Sequence, residues 1–218
     1  AIYFYLHFQY NGWFTFAVLG LLFWLLEYYN IPYNIKYGRL FFRLMFWACI
    51  PAYLLSVLWI KPGAAVYWTG GAAALVQLVA LGVLLAILWQ VRRQVYSLFK
   101  GWSRFILILS ATAFVFKTLM QFATAFPYMA DLAYRLRFFI VGYLHLVLIG
   151  FVSFFILAFF REKDWLSISQ GISRWGIGLF ILGFILTELL LFLQGLLFWV
   201  EAGAIPYFYQ LIFGASIL

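Results

Sequence analysis

The sequence predicts an all-α fold, a polytopic transmembrane helix bundle of about six full spans plus a partial seventh. Three observations predict it. Hydrophobic residues make up 68% of the chain and charged residues 9%, with a mean hydropathy of +1.05. A soluble domain is roughly half apolar and about one quarter charged. The apolar residues fall in runs of about 20, the length a helix needs to cross roughly 30 Å of hydrocarbon. Lys and Arg gather at alternate connections between those runs.

Spans are expected over Tyr3–Leu26, Leu40–Ile60, Gly70–Val91, Trp102–Phe126, Phe138–Phe160 and Gly176–Val200. The tail Ile205–Leu218 reads as the first half of a seventh. Basic residues mark the boundaries. Lys36, Arg39 and Arg43 lie between or just inside the first two spans, Arg92, Arg93, Lys100 and Arg104 around the third connection, and Arg161, Lys163 and Arg174 around the fifth. The other connections hold only Lys61, Arg135 and Arg137. Cytoplasmic loops carry the excess of Lys and Arg, so loops 27–39, 92–101 and 161–175 are expected in the cytoplasm of a bacterial inner membrane. Trp68, Trp102, Trp165, Trp175 and Trp199 stand near span ends, as an interfacial aromatic belt requires. Gly70-Gly71 with Ala72–Ala74 reads as a small-residue helix start, and Pro51 as a kink filled by neighbouring packing. Short connections such as Lys61–Thr69 leave no room for a soluble domain. Residues 1–218 are therefore expected to form a single transmembrane domain. Both ends fall inside apolar runs, so a fragment lacking N-terminal helices and the C-terminal end of a longer chain is expected.

The net charge of +8 is not a nucleic-acid signal, because the charges sit at helix ends. Arg92-Arg93 is expected to anchor topology, and Arg161–Asp164 to be a solvated turn. Cys49 is the only cysteine, which excludes an intrachain disulfide and a cysteine cluster. No phosphate-binding glycine loop, His-Glu-x-x-His motif or transporter-like repeat is present.

Polar side chains inside spans are costly and tend to mark function. The two histidines, His7 and His145, both fall inside spans, the first and the fifth, at comparable depth. Neutral imidazole ligates haem iron, copper and zinc, and bundles build cofactor sites from one ligand on each of several helices. A plain hydrogen bond to a neighbouring helix is the alternative. Asn11 lies one turn from His7 and could orient its ring, whereas Gln9 faces elsewhere. Gly142 and Gly150 flank His145 and would allow close approach of a helix or a flat macrocycle. Lys117 and Glu188, on the fourth and sixth spans, are opposite charges at matching depth. They read either as a proton path or polar wall, with Gln121 and Asn11, or as a buried ion pair.

The segments His7-Phe-Gln-Tyr-Asn-Gly-Trp-Phe14 and Gly142-Tyr-Leu-His-Leu-Val-Leu-Ile-Gly150 resemble the histidine-bearing helices of haem–copper oxidase subunit I-like and NnrS-like membrane proteins. Similar multi-span proteins occur in bacteria of the Bacteroidetes group. The resemblance implies histidines from several helices holding haem or copper near the outer face, with His7 and His145 as cofactor and metal ligands. It also implies further histidine-rich helices upstream. The paired-histidine copper motif and the histidine-linked tyrosine of the oxidases are missing, so oxygen reduction is not carried over. The expected function is a haem- or copper-binding integral membrane protein of redox or electron-transfer type. The alternative is a non-catalytic structural subunit of a larger membrane complex, without a cofactor. The expected partners are the lipid bilayer and other membrane subunits, with no nucleic acid.

Overall fold

The computed structural model describes residues 2–166 and 171–218. Part of the loop 161–175 therefore lies outside the described residues. All the regular structure described is helical. We label the helices α1 (Ile2–Tyr28), α2 (Ile35–Ile60), α3 (Ala64–Leu98), α4 (Trp102–Ala123), α5 (Pro127–Arg135), α6 (Arg137–Glu162), α7 (Gly171–Trp199) and α8 (Phe208–Ser216). Six of them, all but α5 and α8, are long and apolar enough to cross a membrane. The bundle is multi-pass, and its outward apolar faces suit a lipid bilayer.

Most helices run past the expected span ends, because a helix does not stop where hydrocarbon stops. α3 begins at Ala64, so Gly70 is an interior residue and not a helix start. Its role is packing: a Cβ there would meet Leu55 Cδ2 at 3.2 Å. The same helix continues through Arg92 and Arg93 to Leu98. Arg104 then caps it, donating from Nη2 to the Tyr96 carbonyl (2.7 Å) and from Nε to the Phe99 carbonyl (2.9 Å). Those carbonyls have no partner within the helix, and a cation suits the negative end of its dipole.

Pro51 does more than kink α2. Lacking an N–H, it breaks the i→i−4 ladder, and Tyr53–Ile60 closes up as a 3₁₀ helix that ends on Lys61 at φ 53°. The tail Ile205–Leu218 folds as the short α8, preceded by a turn whose Ile205 N–H donates to the buried Gln194 Oε1 at 2.9 Å. α8 lies against α7 at Gly183, where a Cβ would stand 2.8 Å from the Ala215 carbonyl oxygen.

A further helix, α5, falls where the fourth connection was expected. Pro127 starts it at the position where a missing N–H costs nothing. An Asp131–Arg135 ion pair one turn apart (2.6 Å) and a hydrogen bond from Trp199 Nε1 to the Tyr128 hydroxyl (2.8 Å) hold it.

At the other end of the bundle the turn after α6 is docked rather than merely solvated. Lys163 Nζ lies 3.4 Å from the Tyr28 ring centroid and 4.9 Å from that of Trp24. The Tyr29 hydroxyl donates to Glu162 at 3.3 Å, and Arg161 pairs with Asp164 at 2.9 Å. These contacts tie the end of α1 to the end of α6. Burial first, and the Glu162 charge second, push the Tyr29 phenol above its ordinary pKa.

Candidate functional site: two π-bulged histidine helices and the cavity beside them

α1 and α6 share a local irregularity. Phe8–Phe14 in α1 and Leu146–Ser153 in α6 are wound as π-helix. Such segments are rare, well under 1% of residues, and concentrate at functional sites. His7 immediately precedes the first and His145 the second. Each π segment is closed by a hydroxyl eight residues after its histidine. Thr15 Oγ1 donates to the Tyr10 carbonyl (2.7 Å) and Ser153 Oγ to the Leu148 carbonyl (2.9 Å), both five residues back. Glycine stands five residues after each histidine, Gly12 and Gly150. The sequence signal is a nine-residue correspondence, His-x4-Gly-x2-Thr/Ser. It is too short to show as a domain repeat, and it becomes visible once the two helices are laid over each other.

The two π segments touch, which puts the first and fifth spans side by side. Tyr143 on α6 donates to Asn11 Oδ1 on α1 at 3.1 Å. The Asn11 amide nitrogen in turn lies 3.4 Å from His7 Nδ1, and His7 Nε2 lies 2.9 Å from the Cys49 carbonyl on α2. A carbonyl can only accept, so His7 carries its proton on Nε2 and presents Nδ1 as an acceptor. Cys49 is buried, and its thiol lies 3.8 Å from the Asn11 carbonyl. Its side chain fills space between helices, and its backbone carbonyl is a partner that the sequence could not advertise.

His145 faces a different neighbour. Its Nδ1 lies 3.5 Å from Glu188 Oε1 on α7, close enough for a charge interaction, but neither atom makes a hydrogen bond among the described residues. The Glu188 side chain is 11% exposed and that of His145 37%. The expected Lys117–Glu188 pair is therefore replaced by a His145–Glu188 pair. Lys117, 1% exposed, has no carboxylate within ion-pairing distance among the described residues. Its Nζ lies 5.7 Å from the Phe114 ring centroid, and the side chain is within electrostatic range of Cys49 and His7. The reason lies in the packing: α6 stands between α4 and α7. A Cβ on Gly150 would meet Phe184 of α7 at 2.8 Å and Ala113 of α4 at 3.0 Å. Matched depth placed the charges correctly along the bundle axis but not around it. Gly142 packs nearly as closely, since a Cβ there would meet the Phe192 ring at 3.1 Å, so both glycines accommodate phenylalanine rings of α7.

His7 and His145 do not share a cavity. His7 and Asn11 line one of about 220 Å³, together with Trp59 of the 3₁₀ segment, Gln121 of α4, Tyr134 of α5 and Tyr143 of α6. His145 and Lys117 are not on its wall. Among the described residues, no three His, Cys, Asp or Glu side chains converge on one point. The His7 ring has one nitrogen turned toward an oxygen acceptor, as metal-ligating histidines do, whereas His145 Nδ1 and both Glu188 oxygens are without a hydrogen-bond partner among the described residues. Nε2 of His145 is the nitrogen left for a ligand, whereas Nδ1 of His7 faces the Asn11 amide at 3.4 Å. As placed, the two histidines do not fit a single metal shared between them.

No protein-family model, curated protein sequence or solved structure matches this chain.

Proposed function

We propose that the chain is a haem- or copper-binding integral membrane protein of redox, electron-transfer type. What supports the reading is the paired arrangement: each histidine opens a π segment, the two π segments touch, and the His7 ring is oriented by a backbone carbonyl. Nε2 of His145, and Nδ1 of His7 once the Asn11 amide turns away from it, would hold the metal, and a bound haem or copper would supply one-electron chemistry. The Cys49 carbonyl fixes the tautomer and angle of the His7 ring, and the Tyr143–Asn11 bond ties the two histidine helices together. The apolar surround keeps water from the rings. The excess of Lys and Arg in loops 27–39, 92–101 and 161–175 supports a histidine level toward the outer face of a bacterial inner membrane.

The test is an optical spectrum of the detergent-purified protein, oxidised and reduced, with metal analysis of the same sample. A Soret band with resolved α/β bands, or stoichiometric copper, is expected, and is expected to be lost in His7→Ala or His145→Ala. Retention of the group in both variants removes the ligand assignment. The second reading is a cofactor-free subunit of a larger membrane complex. It is favoured by the 3.4 Å approach of the Asn11 amide to His7 Nδ1, which leaves that ring engaged on both sides. A featureless spectrum without bound metal selects this reading.

A further inference from the structure

We propose that the lipid-facing groove between α2 and α3 binds one anionic phospholipid, with an acyl chain lying between Trp47 and Trp68 and the phosphate held by Arg39 and Arg43. The site uses neither histidine and needs no metal. The groove has a volume of about 490 Å³ and is lined chiefly by Trp47 and Pro51 of α2 and by Trp68, Thr69, Ala72 and Val76 of α3. Trp47 is 68% and Trp68 80% exposed, so both indoles stand out from the bundle as rims of the groove. Between them the wall carries no charge, and its one hydroxyl, on Thr69, already donates to the Ala65 carbonyl at 2.8 Å. Such a wall suits hydrocarbon.

Helix register sets the depth of the site. The Asn34 N–H donates to Gln90 Oε1 (3.3 Å), and a Cβ on Gly70 would meet Leu55 Cδ2 at 3.2 Å. α2 and α3 therefore run antiparallel, with Arg39 and Arg43 beside α3 residues 81–86. At ~1.5 Å per residue that stretch lies roughly 26–33 Å from the start of α3 at Ala64, the depth of one ~30 Å hydrocarbon core. The two arginines thus stand at the headgroup level of the bundle's basic end. Trp68 lies roughly 20 Å from Arg43 along the same axis, so one acyl chain reaches from the arginines to the far rim of the groove.

Charge selects the headgroup. Arg39, Arg43 and Trp47 follow one another at four-residue spacing, which places them in one row on α2. Long side chains on a helix lean toward its N-terminus, here toward the membrane surface. Arg39 and Arg43 are exposed, and neither has an ion-pair partner among the described residues. The carboxylates of this end are engaged: Glu27 by Tyr33, Glu162 by Tyr29 and Asp164 by Arg161. Two uncompensated guanidinium groups match a phosphodiester, which each can grip with paired N–H donors. A zwitterionic headgroup would bring its own cation against them, so the site favours a lipid of net negative charge.

The experiment is native mass spectrometry of the detergent-purified protein with dioleoylphosphatidylglycerol or dioleoylphosphatidylcholine, two lipids of identical chains. One saturable phosphatidylglycerol per protein is expected, bound about tenfold more tightly than phosphatidylcholine. Arg39→Gln and Arg43→Gln should each weaken phosphatidylglycerol about fivefold, the factor one basic side chain contributes near an anionic surface. Both should leave phosphatidylcholine unchanged. Ala72→Trp should fill the groove and weaken both lipids. Arg92→Gln is the control and should change neither, since that guanidinium is occupied by the Trp89 carbonyl (2.6 Å) and ring. Equal affinity for the two lipids overturns the proposal. So does an Arg92→Gln loss matching that of Arg43→Gln, which marks diffuse surface charge. Absence of saturable lipid, with a dimer in the same spectrum, assigns the groove to a second copy of the chain and overturns it too. Phosphatidylglycerol binding unchanged in both arginine variants, or in Ala72→Trp, does the same. Thermal midpoints check that the variants fold; should one fail, the comparison of the two lipids on the unaltered protein decides alone.

Discussion

The Tyr143 hydroxyl donates to Asn11 Oδ1 across 3.1 Å, and through Asn11 it reaches the ring of His7 on the neighbouring helix. Removing the hydroxyl in Tyr143→Phe leaves Asn11 Oδ1 without its donor. A loss of ~1 kcal/mol is expected, read as an earlier midpoint in denaturant titration of the detergent-solubilised protein. Asn11→Leu in the Tyr143→Phe background should cost less than the sum of the two single changes, because both act through one bond.

Lys117 and Glu188 are energetically separate. A double-mutant cycle of Lys117→Met and Glu188→Gln should give a coupling below ~0.5 kcal/mol, the additivity expected of residues that share no partner. The cycle of Glu188→Gln with His145→Ala should exceed that value, since those side chains face each other at 3.5 Å. The opposite ranking would return the ion pair to Lys117.

Gly150→Ala should destabilise the bundle by ~1–3 kcal/mol. The added methyl has to displace the Phe184 ring at 2.8 Å and the Ala113 methyl at 3.0 Å at once. Gly82→Ala is the control, because its surroundings are open. It should be neutral or slightly stabilising, since alanine is the better helix former.

The Tyr29 phenol carries a raised pKa, from burial and then from the Glu162 charge. A raised folded-state value favours the neutral phenol. Its contribution is fully present below the ordinary value of 10.0 and is lost as pH climbs through the folded value. Stability of the α1–α6 contact should therefore fall above about pH 10. Tyr29→Phe should flatten this part of the profile, followed as the denaturation midpoint against pH.

Much of this architecture was legible because apolar runs of span length have few alternatives. The six spans stand where hydropathy put them, and only their ends moved, as at Ala64 and Leu98, where helix continues beyond the apolar run. The short α5 was missed although Pro127 marks its start. His7, Asn11 and Gln121 were legible as polar residues in costly places. Their partners were not. The Cys49 carbonyl is backbone and leaves no trace in sequence, and Tyr143 looked like one more aromatic in a chain that is 24% aromatic. Helix adjacency was beyond depth-matching, which is why Glu188 was assigned to Lys117 and not to His145. The π segments were written in Thr15, Ser153 and the two glycines, but as a pattern that two examples barely define.

α3 has 35 residues. At ~1.5 Å per residue it is roughly 52 Å long, against a hydrocarbon slab of about 30 Å and a usual helix tilt near 20°. Tilting cannot absorb such a difference, so the end holding Arg92 and Arg93 stands clear of the acyl chains as a rigid post, braced by Arg104. A post that overshoots one leaflet makes the bundle tolerant of bilayer thickness on that side. Thinner or thicker lipid changes how much of α3 is wetted, while the opposite end, with its short connections and packed rings, keeps its setting. Reconstitution into short- and long-chain phosphatidylcholine should accordingly change the accessibility of cysteines introduced at Gln90 and Gln94, and leave one at Thr124 unchanged.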